Sequence, residues 1–325
     1  MTRTRSLASG LLSFSAAAVL ALTTAGGASA APAPSTASED KLLPSIVRLA
    51  VNGAGAADYW TSERMQNAVP GDVLAGQALE NGTRSNPAVI EKGKKTKVKA
   101  AKAKAATPGT VNHVGKVFFT MGNSNYVCSG NAVSSDNKST VATAGHCVFG
   151  GPGQEATNFT FVPAYNNGAA PYGKWAAKAL YTTTGWSSAG DLNYDTGFAV
   201  MEPLNANLLT DVVGGSAVAF GQDRGLSYTA FGYPADKPFT GEALKSCAGT
   251  ASGDPINPKF TTQGIPCDMT SGSSGGPWFI ESGLGEGSGG VQNSINSYGY
   301  SGSKVMYGPY WGDAIREVYD VASKP

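Results

Sequence analysis

An all-β domain closed by one short helix is predicted for residues 107–325, and three features carry that expectation. Short runs rich in Val, Phe, Tyr and Thr recur through this stretch, Gly, Asn, Ser and Pro punctuate them, and a helical apolar period emerges only at the end. In order, the runs are Val114 to Met121, Tyr126 to Val133, Thr140 to Ala144, Phe159 to Val162, Gly197 to Met201, Ala217 to Phe220 and Ser227 to Tyr233. After Asp313, the residues Ile315, Val318, Tyr319 and Ala322 recur at helical spacing, which predicts a short amphipathic helix that packs on the body. Glycine supplies 43 of the 325 residues but follows no period, so neither a collagen-like nor a repeat architecture is indicated.

The first thirty residues, 1–30, read as an export signal: Arg3 and Arg5 give a basic start, Leu11 to Leu22 is apolar, and Ala28-Ser29-Ala30 offers small residues for cleavage. A mature chain then begins near Ala31. The apolar run is about half of the roughly 20 residues that a membrane-spanning helix needs, so a soluble, secreted product is expected. Export puts the four cysteines, Cys128, Cys147, Cys247 and Cys267, in an oxidising compartment. Four cysteines allow three connectivities, and their grouping along the chain favours Cys128 with Cys147 and Cys247 with Cys267. No pair has the short spacing of a zinc site, so no metal is assigned to them.

Charge divides the chain again. Residues 1–106 hold 13 Lys and Arg against 7 Asp and Glu, whereas 107–325 hold 11 against 16. The mildly acidic second part offers no basic footprint for nucleic acid. Residues 31–106, without cysteine and ending in a Lys-rich run from Lys92 through Lys104, read as a propeptide and a solvated, flexible tether. Cleavage between Lys104 and Val111 would release roughly 215 to 220 residues, a usual size for one domain.

Two motifs carry chemistry. Thr143-Ala144-Gly145-His146-Cys147 follows a β-rich run, and a bond from Cys147 to Cys128 would pin the loop that holds the imidazole, as a general base requires. Gly272-Ser273-Ser274-Gly275-Gly276-Pro277 would let the backbone turn so that the N–H groups of Gly272 and Ser274 converge as an oxyanion hole beside the Ser274 hydroxyl. Gly275 and Gly276 would leave room for the backbone of a substrate. The same residues satisfy G-x-S-x-G, but an α/β-hydrolase needs its histidine after the serine, and the two histidines, His113 and His146, both precede Ser274. His113, near the expected mature start, is expected to be exposed. The acid belongs between His146 and Ser274, at the head of an apolar strand. Asp195, before Thr196-Gly197-Phe198-Ala199-Val200-Met201, fits best, with Asp191 as runner-up. Its role would be to hold the tautomer of the histidine and stabilise the imidazolium.

Together with Cys128-Ser129-Gly130, these segments resemble the trypsin/chymotrypsin family of serine proteases over roughly residues 111 to 320, and Phe231-Gly232-Tyr233-Pro234 resembles the bacterial secreted branch that includes the glutamyl endopeptidases. The resemblance implies two six-stranded antiparallel β-barrels with a His146, Asp195, Ser274 triad in the cleft between them, and a closing C-terminal helix. It also implies a serine endopeptidase that acts as a monomer on polypeptides, made as a zymogen with its own propeptide as partner, without cofactor. Where trypsin-like enzymes carry an aspartate before the nucleophile, this chain has Ser273, so activation by an ion pair to a new N-terminus is not expected; removal of the propeptide from an assembled site is.

Specificity is the least determined feature. Asp268 stands six residues before Ser274, where the resemblance implies the pocket acid that selects Arg or Lys, but Cys267 lies seven before the serine and the register differs from trypsin, so a surface aspartate is the equal alternative. Ser297, Tyr298 and Gly299 resemble the pocket wall whose backbone pairs with substrate. The resemblance implies a histidine on the strand after the nucleophile where Glu is preferred, and Gly289 to Gly299 holds none, which argues against that preference. The rival reading is a catalytically silent binding protein on a protease scaffold.

Overall fold

The computed structural model describes residues 46–82, 95–98, 111–151, 154–280 and 290–325. The export signal, the expected start at Ala31, Lys99 to Lys104 and the processing stretch before Val111 lie outside the described residues. The segment ahead of the body forms β1 (Ile46–Ala50), α1 (Ala56–Tyr59), α2 (Ser62–Gln66), β2 (Val69–Pro70), α3 (Asp72–Gly82) and β3 (Thr96–Val98). The first half of the body contains β4 (Val114–Met121), β5 (Ser124–Val133), β6 (Thr140–Thr143), β7 (Thr157–Pro163), β8 (Trp175–Thr183), α4 (Thr184–Ala189) and β9 (Gly197–Met201). The second half contains α5 (Leu209–Val213), β10 (Ala217–Phe220), β11 (Ser227–Gly232), β12 (Lys245–Thr250), β13 (Gln263–Pro266), β14 (Pro277–Phe279), β15 (Val291–Ile295), β16 (Val305–Gly308) and α6 (Asp313–Ala322).

In the first half β4 pairs with β5, β5 with β6, β6 with β9, β9 with β8, β8 with β7 and β7 back with β4, all antiparallel, so six strands close a barrel. Closure leaves no unpaired strand edge inside the ring. Val117, Phe119, Val141, Phe161, Trp175, Leu180, Phe198 and Val200 are buried in its core. Each such aliphatic or phenylalanine side chain contributes about 1.5–3 kcal/mol by leaving water. The second half places β12, β11, β14, β15 and β10 in one sheet, with β13 and β16 paired beside it. β10 meets β15 in parallel over a short stretch, and the other body pairings of this half are antiparallel. Helix α6 buries Ile315, Val318, Tyr319 and Ala322, the face expected from its spacing. The Tyr319 ring lies 5.8 Å from Phe198 and 5.4 Å from Phe220, so the helix seals both halves.

The segment ahead of the body is built into the fold. β1 extends the first sheet by pairing with β8, and β2 runs parallel to the start of β5. Trp60 is fully buried, its Nε1 donating to the Asn158 carbonyl at 2.7 Å and its ring 5.3 Å from Phe118. A buried tryptophan removes on the order of 200 Å² from water, worth up to about 5 kcal/mol. Within the Lys-rich run, Thr96 to Val98 is not a free tether: β3 pairs antiparallel with β10, whose outer edge would otherwise offer unpaired backbone groups. His113 is also not exposed. It is 7% exposed, with its Nδ1 2.6 Å from Asn131 Oδ1, because it enters β4 at the barrel and its carbonyl accepts from Ala132 N–H.

Candidate active site

His146 lies in a single 3₁₀ turn, Gly145–Cys147, directly after β6. Cys147 is joined to Cys128 on β5, which ties that turn to the neighbouring strand, and Cys247 is joined to Cys267. Asp195 occupies the bend between the Leu192–Tyr194 turn and β9. Because β9 pairs with β6, Asp195 arrives beside the turn that holds His146. Its carboxylate accepts three hydrogen bonds: from His146 N–H at 2.8 Å, from His146 Nδ1 at 2.8 Å and from the Ser297 hydroxyl at 2.6 Å. His146 and Asp195 are both fully buried. Burial alone lowers the affinity of His146 for a proton, but the charge and hydrogen bond of Asp195, with the charge of Asp72, outweigh it and hold the imidazole above the usual histidine value. Asp191 does different work: it caps the Leu192–Tyr194 turn by accepting from Asn193 N–H at 3.0 Å and Asn193 Nδ2 at 2.7 Å.

Ser274 sits on the loop before β14, and both halves of the body hold that loop. From β5, Ser129 N–H donates to the Ser274 carbonyl at 2.7 Å and its hydroxyl donates to the Gly272 carbonyl at 3.0 Å. From the residue after β15, Asn296 Nδ2 donates to the carbonyls of Ser273 at 2.9 Å and Phe231 at 2.8 Å, while the Asn296 carbonyl accepts from Gly275 N–H at 2.7 Å. Ser273 is buried and donates to the Thr270 carbonyl at 2.9 Å. Gly272 has φ +95°, and a methyl group there would lie 2.9 Å from the Tyr233 carbonyl oxygen. The expected room at Gly275 and Gly276 is filled by the protein itself. A Cβ would run into the Ser129 carbonyl at the first and the Phe231 carbonyl at the second, so Gly275 serves close packing of the two halves and Gly276 close packing within the second.

Beside the serine, a cleft of about 810 Å³ is lined by Asp268, Thr270, Ser297, Tyr298, Gly299, Val305 and Met306, and by Asp72, Ala75 and Leu79 of α3. Asp268 is exposed and lines it next to the buried Cys267. Behind the wall lies Asp254, which has no motif around it. It is buried and accepts from the Tyr298 hydroxyl at 2.9 Å and the Tyr300 hydroxyl at 2.7 Å, while the Tyr298 ring stacks on Tyr307 at 5.0 Å. The pocket wall is therefore fixed by a buried carboxylate that holds two tyrosines.

A further acid reaches the site from outside the body. Asp72, the first residue of α3, accepts from Gly272 N–H at 2.6 Å and from the Ser274 hydroxyl at 2.9 Å. Burial pushes its carboxyl above the usual carboxylate range, partly offset by the charge of His146 and these two hydrogen bonds. Among the described residues, the buried His146 Nε2 has no hydrogen-bond partner.

No family model matches the chain. The crystal structure of the protease Anisep from Arthrobacter nicotinovorans superposes with a TM-score of 0.62 at 61% identity, covering 70% of this chain and 99% of Anisep. The chain belongs to the trypsin/chymotrypsin-like serine proteases. A thermostable serine protease, AL20, from an extremophilic microorganism superposes with a TM-score of 0.63 at 49% identity, covering 66% of this chain and 99% of AL20. The fold is also that of a Glu endopeptidase, with a TM-score of 0.51 at 20% identity, covering 73% of this chain and 99% of that one. Among curated proteins, a glutamyl endopeptidase of Bacillus licheniformis is 34% identical over 105 residues, 30% of each chain. A protein of Bacillus subtilis named extracellular metalloprotease is 31% identical over 148 residues, 46% of each. The matches thus span less than half the length of these curated relatives. The one metal-like grouping among the described residues is Cys128, His146 and Cys147. Its two sulfurs are joined to each other and the histidine is engaged with Asp195, so that donor set does not fit a metal.

Proposed function

We propose that this serine protease is a secreted endopeptidase, made as a precursor, that cleaves polypeptides through His146, Asp195 and Ser274 with an acyl-enzyme intermediate. The observation that carries the reading is the seam between the two halves, where the Ser274 hydroxyl and the Gly272 N–H converge on one carboxylate and Ser297 links them to the His146–Asp195 pair, its hydroxyl on Asp195 and its carbonyl 3.5 Å from Ser274 Oγ. In the reaction, His146 Nε2 accepts the Ser274 proton as Oγ bonds to the substrate carbonyl carbon, and the N–H groups of Gly272 and Ser274 hold the oxyanion. The imidazolium then gives that proton to the leaving amine, whose bond to carbon breaks. Water, activated by the same histidine, hydrolyses the acyl-serine. Asp195, fixed by Ser297, keeps the proton of the neutral imidazole on Nδ1, which leaves Nε2 as the base. Ser297 to Gly299 supply the backbone edge beside which substrate aligns, and Asp268 faces its side chain from the cleft.

Secretion is supported by the export-type N-terminal sequence and by the curated metalloprotease relative, whose name is extracellular. Among the described residues no helix is long and apolar enough to cross a membrane. The test is mass spectrometry of peptides released from an unstructured protein mixture by the processed chain and by its Ser274→Ala variant. Serine-dependent internal cleavage is expected. Cleavage after Arg and Lys would assign Asp268 to the pocket, serine-dependent cleavage elsewhere would remove that assignment alone, and no cleavage by the processed chain would turn the reading to a silent scaffold.

A further inference from the structure

We propose that Asp72 is the intramolecular ligand of this site: its carboxylate fills the place of the substrate's carbonyl oxygen and draws the Ser274 hydroxyl away from His146, making the segment that carries it a built-in inhibitor. The proposal rests on the protease reading above and names how that site is held silent. It also names the chemical class the site accepts at that position, a carboxylate.

Three observations converge. The first is the division of labour within the carboxyl group: Oδ2 takes the Gly272 N–H at 2.6 Å and Oδ1 takes the Ser274 hydroxyl at 2.9 Å. One acid therefore engages both an oxyanion donor and the nucleophile. The second is His146 Nε2, buried and without a hydrogen-bond partner among the described residues. A serine has one hydroxyl proton, and its near acceptor here is Asp72 at 2.9 Å, with the Ser297 carbonyl farther off at 3.5 Å, so the base is left without the bond that would activate the serine. The third is how the acid is delivered. Gly71 N–H donates to the Val127 carbonyl at 2.9 Å, and β2 pairs with the start of β5, which anchors the backbone immediately before Asp72. After it, α3 buries Ala75 and Ala78, so the acid projects from a helix packed on both sides of its first turn.

The chemistry explains why such a ligand is not consumed. A peptide presented to Ser274 would be cleaved, but a carboxylate offers no amide leaving group, and its two oxygens match what the hydrolysed product presents. Once the segment is cut in the Lys-rich run and leaves, the hydroxyl of Ser274 can return to Nε2 without any change in the anchors at Ser129, Asn296 or Ser297.

The experiment uses the uncleaved full chain and a fluorophosphonate probe, whose phosphorus bonds to Ser274 Oγ as fluoride leaves and His146 takes the hydroxyl proton. Labelling rates are compared for the wild type, Asp72→Ala, the near-isosteric Asp72→Asn, and Asp58→Asn, an exposed acid of the same segment. Losing two charge-assisted hydrogen bonds is expected to raise labelling of Asp72→Ala about 100-fold, with Asp72→Asn in between and Asp58→Asn unchanged. The wild type, digested in its Lys-rich run and freed of the segment by gel filtration, should label as fast as Asp72→Ala. If the digested wild type labels fast while folded Asp72→Asn and Asp72→Ala stay at the uncleaved rate, the segment blocks the site without Asp72 and the proposal is overturned. If the digested wild type does not label either, the protease reading fails and takes the proposal with it.

Discussion

Replacing Asp195 by Asn should cost about 10⁴-fold in kcat/KM, and the structure says why a change of one atom does so much. All three partners of the carboxylate are donors: the His146 backbone N–H, its Nδ1–H and the Ser297 hydroxyl. An amide keeps one acceptor and adds a donor. If its NH₂ faces the His146 backbone, two donors oppose each other at about the present 2.8 Å, and a backbone N–H cannot reverse its role. If its NH₂ faces Nδ1 and Ser297, both can switch to acceptors, so this orientation wins. The imidazole proton then moves to Nε2, and the atom that should take the proton of Ser274 already carries one. A loss of that size corresponds to about 5.5 kcal/mol of transition-state stabilisation. The assay is kcat/KM of the processed enzyme on an unstructured peptide, with nitrogen NMR of His146 reading the tautomer. Asp191→Asn is the control, because Asn caps a turn about as well as Asp and activity should persist. Retention of more than about a tenth of wild-type kcat/KM by a folded Asp195→Asn enzyme would refute the reasoning.

Two further outcomes follow from the same geometry. Gly272→Ala puts a methyl at φ +95° within 2.9 Å of the Tyr233 carbonyl oxygen, so melting should fall by the equivalent of about 1–3 kcal/mol and kcat by about 100-fold as the N–H moves off target, with KM changed less. In the precursor, burial holds the Asp72 carboxyl above its ordinary value, against the charge of His146 and the hydrogen bonds from Gly272 and Ser274, and release to water removes that burial. A raised pKa in the docked state stabilises that state fully below the undocked value and loses the effect as pH rises through the docked value, so labelling of the uncleaved chain should rise with pH more steeply than that of the processed enzyme.

Much of this was legible in the chain because the signals were local. β4, β9 and β10 are continuous buried runs with punctuated ends, and the face of α6 follows from a single helical period. The two disulfides followed from grouping of the cysteines. The apolar strand after Asp195 favours it over Asp191 in the sequence, and the fold adds that Asp195 meets His146 while Asp191 is taken up by a turn cap. β12 was illegible because its residues are exposed or half-buried and its sequence, Lys-Ser-Cys-Ala-Gly-Thr, lacks an apolar run. Asp72 was hidden for a stronger reason: its partners are 200 and 202 residues away, and an acid at the start of a helix ordinarily reads as a favourable end charge. His113 was misjudged as exposed because its position near a processing boundary says nothing about Asn131, which the β4–β5 register brings to it.

The pattern of anchors also bears on how the proposed precursor would become active. In enzymes that depend on a new N-terminus, activation must build part of the site. Here the Asp195 contacts, the two holds on the nucleophile loop and the Cys128–Cys147 link exist while the segment is docked, and Ser273 offers no acid for an N-terminal amine. On the proposed reading, what changes when the segment leaves is the direction of one hydroxyl and the occupant of one N–H. Rotating a serine side chain takes at most nanoseconds, whereas releasing a segment that buries Trp60 and pairs β1, β2 and β3 with the body is slow. On the proposed reading, the rate of activation is set by cutting and departure of the segment, not by rearrangement of the site, and the energy that holds the precursor silent resides in packing remote from His146, Asp195 and Ser274.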